Sequence, residues 1–277
     1  MDKATLNALV REDLRLEFES ARVLQANLAV ARNRIHGRIA ANPNDLFSVR
    51  LGGVLDTYLR EFEANAIRDL PIERALNRGT RVGHQIVGDA ARVYKGARFW
   101  NFTPLLPLNA IAFETTQAAA TIKRVSDSVR NQILRQVQIG IASGATTRQI
   151  LDDVLGVGLR GERGRDGVFR SASVRAETIG RTVSNELINR GAHITYTQID
   201  NLVPELELNK VWQTVGDDRT SDRCLRLAGQ RRPLNDNFDA GDGWIGMFPP
   251  SHPNCRSRIT SVSKRYQEQW DSRFPSP

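Results

Sequence analysis

The sequence predicts a mainly α protein: an elongated multi-helix body and a small C-terminal α+β module closed by a Cys/His turn. Three observations carry this. Apolar residues recur at three-, four- and seven-residue steps through most of the first 200 positions, the spacing that lines one face of a helix. Aromatic residues are only 6% of the chain, which suits helix packing better than a sandwich of sheets. The periodicity then stops at Pro204, and both cysteines, Cys224 and Cys255, lie beyond it with His252 beside the second. These shifts divide the chain into an N-terminal helical region (1–108), a central helical region (109–204) and the terminal module (205–277).

From Ala4 to Ala41 the chain reads as one long helix or a broken pair. Val10, Leu14, Phe18, Ala21, Leu24, Leu28, Ile35 and Ile39 form its apolar line, and Arg11, Glu12, Arg15, Glu19, Arg22 and Arg32 its solvated face. Asn42-Pro43-Asn44-Asp45 is a stop followed by a new cap. A second helix follows from Leu46 to Leu70, with Leu51, Val54, Leu55, Tyr58, Leu59 and Phe62 as its stripe. A third segment runs from Pro71 to about Tyr94. Its Gly79, Gly83 and Gly88 either let backbones pack closely or loosen the helix. His84 in that segment reads as a packed or surface residue.

Lys95 to Leu108 (KGARFWNFTPLLPL) is a break, because Pro104 and Pro107 cannot continue a helix. Phe99, Trp100 and Phe102 there read as aromatics pinned onto a core, with an exposed patch for a partner as the sharper alternative. Asn109 to Ile141 gives the cleanest helical signal, with Ile122, Val125, Val129, Ile133, Val137 and Ile141 on one face. Ser143-Gly144 closes it, and Thr146 to Gln149 has the form of a capping box that starts a short helix. Gly156 to Gly167 (GVGLRGERGRDG) is loop-like. Its Arg160, Arg163 and Arg165 suit either a nucleic-acid backbone or a plain hinge. Ser171 to Asp200 is the last long helix, with Ile179, Val183, Leu187, Gly191 and Ile194 as its apolar line.

In the terminal module, Lys210 to Thr214 reads as a short strand with Trp212 facing away from Val211 and Gln213. Asp217 and Asp218 are placed to cap a short helix from Arg219 to Leu227, ended by Gly229. The loop from Asn235 to Pro250 has no periodicity, and its Asp236, Asp239 and Asp242 do not have calcium-loop spacing. His252-Pro253-Asn254-Cys255 puts an imidazole and a thiol on one tight turn. With Cys224 these are three metal-type donors. Structural zinc takes four, and Ser221 and Ser257 occupy positions where further cysteines would serve, so the ligand set looks incomplete. The preferred reading is that Cys224 and Cys255 pack together or bridge, with no cofactor. A thiol–imidazole nucleophile is disfavoured, since no orienting group is identifiable.

The net charge is +8 and the pI about 10.1, which favours an acidic partner. Arg231, Arg232, Arg256 and Arg258 join the loop arginines as candidate nucleic-acid contacts. The charged N-terminus has no signal core and no apolar run spans a membrane, so the expectation is a cytoplasm-made protein without a membrane partner. No catalytic cluster is visible, and the chain is read as a non-enzyme.

RAETIGRT (Arg175 to Thr182), WQTVGDDRTSDRC and PPSHPNCRS together resemble the phage Mu F-like minor head proteins, also called phage head morphogenesis proteins. Asp217, Arg219, Thr220, Cys224, His252, Pro253, Cys255 and Arg256 match that family's terminal pattern, with Ser221 and Ser257 in place of two of its cysteines. The resemblance implies a minor structural protein of a tailed-phage head. Its partners would be the portal and other head proteins, with double-stranded DNA as a further candidate. It would act in head assembly, DNA packaging or early ejection. A stand-alone nucleic-acid-binding protein using the terminal module is the alternative.

Overall fold

The computed structural model describes residues 3–47, 50–95, 104–155 and 168–264. In chain order, α1 (Lys3–Ala41), α2 (Arg50–Asp69), α3 (Ile72–Lys95), α4 (Leu108–Ala142), α5 (Thr147–Leu155) and α6 (Val168–Leu202) come first. Then β1 (Leu208–Gln213), α7 (Asp222–Leu227), β2 (Arg231–Pro233), β3 (Phe238–Asp239), β4 (Ile245–Gly246) and β5 (Arg258–Ser263) complete the chain. The mainly α expectation holds, and α1 is one unbroken helix. The expected features of 96–103, with Phe99, Trp100 and Phe102, and of 156–167 lie outside the described residues.

Contacts divide the chain into two compact units. The first comprises Met1–Glu17, Pro71–Glu114 and Arg181–Pro277; the second comprises Phe18–Leu70 and Thr115–Gly180. Thus α1, α4 and α6 each give a stretch to both.

The second unit is held by apolar stripes. Leu24, Leu28, Ile35 and Ile39 of α1, Leu51, Leu55, Leu59 and Phe62 of α2, and Ile122, Val125, Val129, Ile133 and Val137 of α4 are all buried. Of the other expected stripe members, Val54 and Tyr58 of α2 are half-buried and two are exposed. Phe18 is 47% exposed and Ile141 49%. The buried line of α1 runs through Ala21, Leu24 and Leu28, one position out of phase with Phe18. On α4 it passes through Gly140, where a Cβ would lie 2.5 Å from Ile150. The capping box of α5 is present: Thr146 Oγ1 accepts the Gln149 N–H at 3.3 Å, and Gln149 Oε1 accepts the Thr146 N–H at 2.8 Å.

In the first unit, α3 and α6 approach through glycine. A Cβ on Gly79 would lie 2.0 Å from the Ile188 carbonyl oxygen, and one on Gly191 would lie 2.2 Å from that of Leu76. Close packing, not loosening, is therefore the role of Gly79. The buried side of α6 differs from the expected line. Ile179, Val183 and Ile194 are half-buried, while Asn185, Asn189, Thr195 and Tyr196 are fully buried. The strand β1 lies at the centre of a three-stranded antiparallel sheet ordered β2-β1-β5, with Trp212 opposite Ile259 and Lys210 opposite Ser261. Trp212, Tyr196, Ile199, Leu227, Phe238 and Ile259 share one apolar core.

Buried charge holds the start of α1 in this unit. Asp13 and Glu17 stand at helical spacing and are 3% and 2% exposed. Arg258 of β5 donates to Asp13 at 3.1 Å and to Glu17 at 2.8 Å, and Arg78 of α3 donates to Asp13 at 2.9 Å. Among the described residues no helix is long and apolar enough to cross a membrane.

Candidate functional site

The site begins with α7. Ser221 caps it: the Ser221 Oγ accepts the Cys224 N–H at 3.3 Å. The helix therefore starts at Asp222, three residues later than expected, and the Asp217–Asp218 cap is not formed. Asp217 closes the preceding turn instead, its Oδ1 accepting the Arg219 N–H at 3.2 Å and the Thr220 hydroxyl at 3.0 Å. Gly229 ends the helix at φ +73°, a conformation that favours glycine. There its N–H reaches the Trp212 carbonyl at 2.9 Å, while the Trp212 N–H donates to Gln230 at 3.0 Å. These two bonds join the 229–230 segment that follows α7 to β1, and Trp212 itself is wedged edge-on between Phe238 and Trp244.

The second wall is the His252–Cys255 turn. The Cys255 N–H returns to the His252 carbonyl at 3.2 Å, and Asn254 sits at φ +58°, which asparagine tolerates better than most residues. The helix α6 anchors this turn. Thr182 Oγ1 accepts the Asn254 N–H at 3.1 Å, and Asn185 Nδ2 donates to the Cys255 carbonyl at 2.7 Å. Asn189 Oδ1 accepts the Ile259 N–H at 2.8 Å, and its Nδ2 donates to Asn185 Oδ1 at 2.8 Å.

Where the two walls meet, three donor atoms converge. Cys224 Sγ is 3.6 Å from Cys255 Sγ and 3.2 Å from His252 Nε2. The Ser221 hydroxyl is 2.8 Å from the same Nε2, and the Ser251 hydroxyl is 3.5 Å from Cys224 Sγ. His252 Nδ1 donates to the Pro253 carbonyl at 2.8 Å. Both cysteines are buried and free, so they pack rather than bridge; a disulfide would need about 2.05 Å between the sulfurs. A hydrogen bond from Cys255, then those from neighbouring serine hydroxyls, holds the Cys224 thiol well below its ordinary range. Donating to Cys224, together with burial, keeps the Cys255 proton on. Cys224, His252 and Cys255 form the one group of metal-type side chains that converges among the described residues. As a nucleophile, Cys224 is poorly placed: it is 2% exposed, and the imidazole's second nitrogen is bound to a backbone carbonyl rather than to a carboxylate.

The candidate nucleic-acid arginines have different fates. Arg256 makes a bidentate pair with Asp217, at 2.7 and 2.5 Å, and this pair holds the Asp217 carboxyl well below the usual range. Arg258 is committed to Asp13 and Glu17. Neither guanidinium is thus offered to a phosphate. Arg231 and Arg232 are half-buried on β2. Arg160, Arg163 and Arg165 lie outside the described residues.

Residues 127–260 match the family described as Phage Mu protein F like protein. Through this segment the chain is similar to that family. The Mu F-like segment begins within α4, ends within β5 and takes in both walls of the Cys/His site. The similarity links this segment to bacteriophage proteins of head morphogenesis. No curated protein and no solved structure matches the chain.

Sequence reasoning missed Thr182, Asn185, Asn189 and Lys210. The asparagines did leave a signal. Two short polar side chains four apart inside a long helix are poor helix formers, and need a tertiary reason to be there. Lys210 is fully buried on β1. Its Nζ donates to the Leu234 carbonyl at 2.8 Å and lies 5.4 Å from the Phe238 ring centre. Burial pushes its pKa down to about 8.

Proposed function

We propose that this protein is a minor structural component of a tailed-phage head, associated with the portal or procapsid and acting in head morphogenesis, DNA packaging or early ejection. It is a non-enzymatic assembly part, present in the virion and, during assembly, in the host cytoplasm. The family match across 127–260 carries this reading, because it covers the whole Cys/His site together with the α6 residues that anchor it. The chemistry is in keeping. A basic chain whose buried polar groups are used to fasten its own elements is suited to attachment rather than turnover. The alternative, a free-standing DNA-binding module, is weakened because Arg256 and Arg258 are both bound to carboxylates within the protein.

Mass spectrometry of purified procapsids and filled heads tests this. The protein is expected in both, at far lower copy than the main shell subunit and co-purifying with portal oligomers. Its absence from both particles would overturn the proposal.

A further inference from the structure

We propose that Cys224, His252 and Cys255 bind a single zinc ion through two thiolates and one imidazole nitrogen, with an oxygen from water or Ser221 as the fourth donor. The inference rests on the geometry of this site and is independent of where in a phage particle the protein resides.

The spacing of the donors comes first. With Zn–S bonds of about 2.3 Å and Zn–N bonds of about 2.0 Å, a tetrahedral ion sets its sulfurs about 3.7 Å apart and a sulfur and nitrogen about 3.5 Å apart. The sulfurs here are 3.6 Å apart, Cys224 Sγ and His252 Nε2 are 3.2 Å apart, and all three donor atoms lie within 4.8 Å of one another. Two buried thiols and an imidazole therefore already have almost the separations that one shared ion imposes.

The orientation of the imidazole is a separate observation. Because Nδ1 donates to the Pro253 carbonyl, Nε2 carries the lone pair, and it is Nε2 that faces Cys224. Metal-binding histidines are typically held in this way, with the remote N–H tied to a carbonyl or carboxylate. The backbone at Cys255 is fixed too, by the Asn185 amide on its carbonyl. Cys224 is fixed by the Ser221 cap on its N–H.

The donor set selects the metal class. Two sulfurs and one imidazole suit zinc and exclude calcium or magnesium, which take oxygen ligands. The Ser221 hydroxyl lies 2.8 Å from His252 Nε2, so an oxygen is at hand beside one of the three donors. Binding is balanced by release of the thiol protons to solvent as the two Zn–S bonds form.

The ion would join the two walls of the site. One is a six-residue helix and the other a turn without regular structure, so little else of repeating hydrogen bonding joins them.

The test uses the full chain, purified in reductant, loaded with zinc and desalted. Metal content, thiol reactivity and the cobalt-substituted spectrum are then measured. About one zinc per chain is expected. Both thiols should resist alkylation until a chelator is added, and cobalt should give a thiolate charge-transfer band in the near ultraviolet. His252→Asn, which removes one of the three protein ligands, should weaken binding by more than the roughly 10- to 100-fold that losing an outer-shell partner costs. Ser221→Cys, which keeps all three donors and adds a fourth, should tighten it by about tenfold or more, guarding against a variant that merely fails to fold. Negligible zinc on the folded wild-type chain with two reactive thiols would overturn the proposal. So would a Cys224–Cys255 disulfide in protein kept reduced, or unchanged affinity in both variants.

Discussion

The two compact units are built by opposite means. The second is a set of helices joined along stripes such as Ile122–Val125–Val129–Ile133–Val137, each of which buries carbon against carbon. The first has an apolar core around Trp212, but its elements are located by buried polar groups: Arg258 on Asp13 and Glu17, and Asn185 and Asn189 on the Cys255–Ile259 segment. An apolar stripe tolerates small errors, since dispersion and hydrophobic burial depend weakly on direction. A buried ion pair or amide does not, because each lost partner leaves a desolvated group unpaired. The first unit should therefore fail abruptly at single polar positions, and the second should weaken by degrees. All four tryptophans belong to the sequence segments of the first unit, so fluorescence reports on it while circular dichroism reports on the helices of both.

The largest effect is expected from Arg258→Met. It strands the Glu17 carboxylate, which is 3% exposed at the side chain, and should cost about 3–5 kcal/mol in urea unfolding followed by fluorescence. A cost below about 1 kcal/mol would mean that the charge cluster is incidental. Next comes Ile133→Ala in the second unit, at about 3 kcal/mol, with Ile133→Val near 1 kcal/mol. That graded pair is the signature of stripe packing, and equal losses for the two would contradict it.

Lys210 gives the pH dependence. Its pKa of about 8 in the folded chain lies below the ordinary lysine value of 10.5. The unfolded chain thus binds more protons between these limits, and stability rises with pH across that window. By linkage the gain is on the order of 3 kcal/mol, and it is lost again as pH falls through about 8. Melting curves from pH 7 to 10.5 should show this rise in wild type relative to Lys210→Met. Parallel profiles would refute it. Among the substitutions in the first unit, the smallest effect is expected from Asn189→Ala. This leaves the buried Ile259 N–H without its acceptor and should cost about 2 kcal/mol.

The sequence was most legible where periodicity carried the information. The five long helices, the short α5 with its Thr146 capping box and the Gly229 stop follow from spacing and residue type, and the departures at Phe18 and Ile141 are shifts of a single position on otherwise correct faces. The Cys224, His252 and Cys255 trio was also legible, because cysteines are few here and soft donors are conspicuous. Less legible was the start of α7, since Asp217, Asp218 and Ser221 are all competent caps and only the turn closed by Arg256 decides among them.

By itself, then, the sequence determined local matters: helix, strand, cap and stop, each settled by residues a few positions apart. It also placed the Mu F-like motifs within that frame. Only the tertiary structure decided that Asp13 meets Arg258 across 245 positions, that Gly79 faces Ile188, and that Asn185 holds the backbone of Cys255. Such pairings depend on which distant segments share a core. A charged or amide side chain looks the same in the sequence whether it faces water or a buried partner.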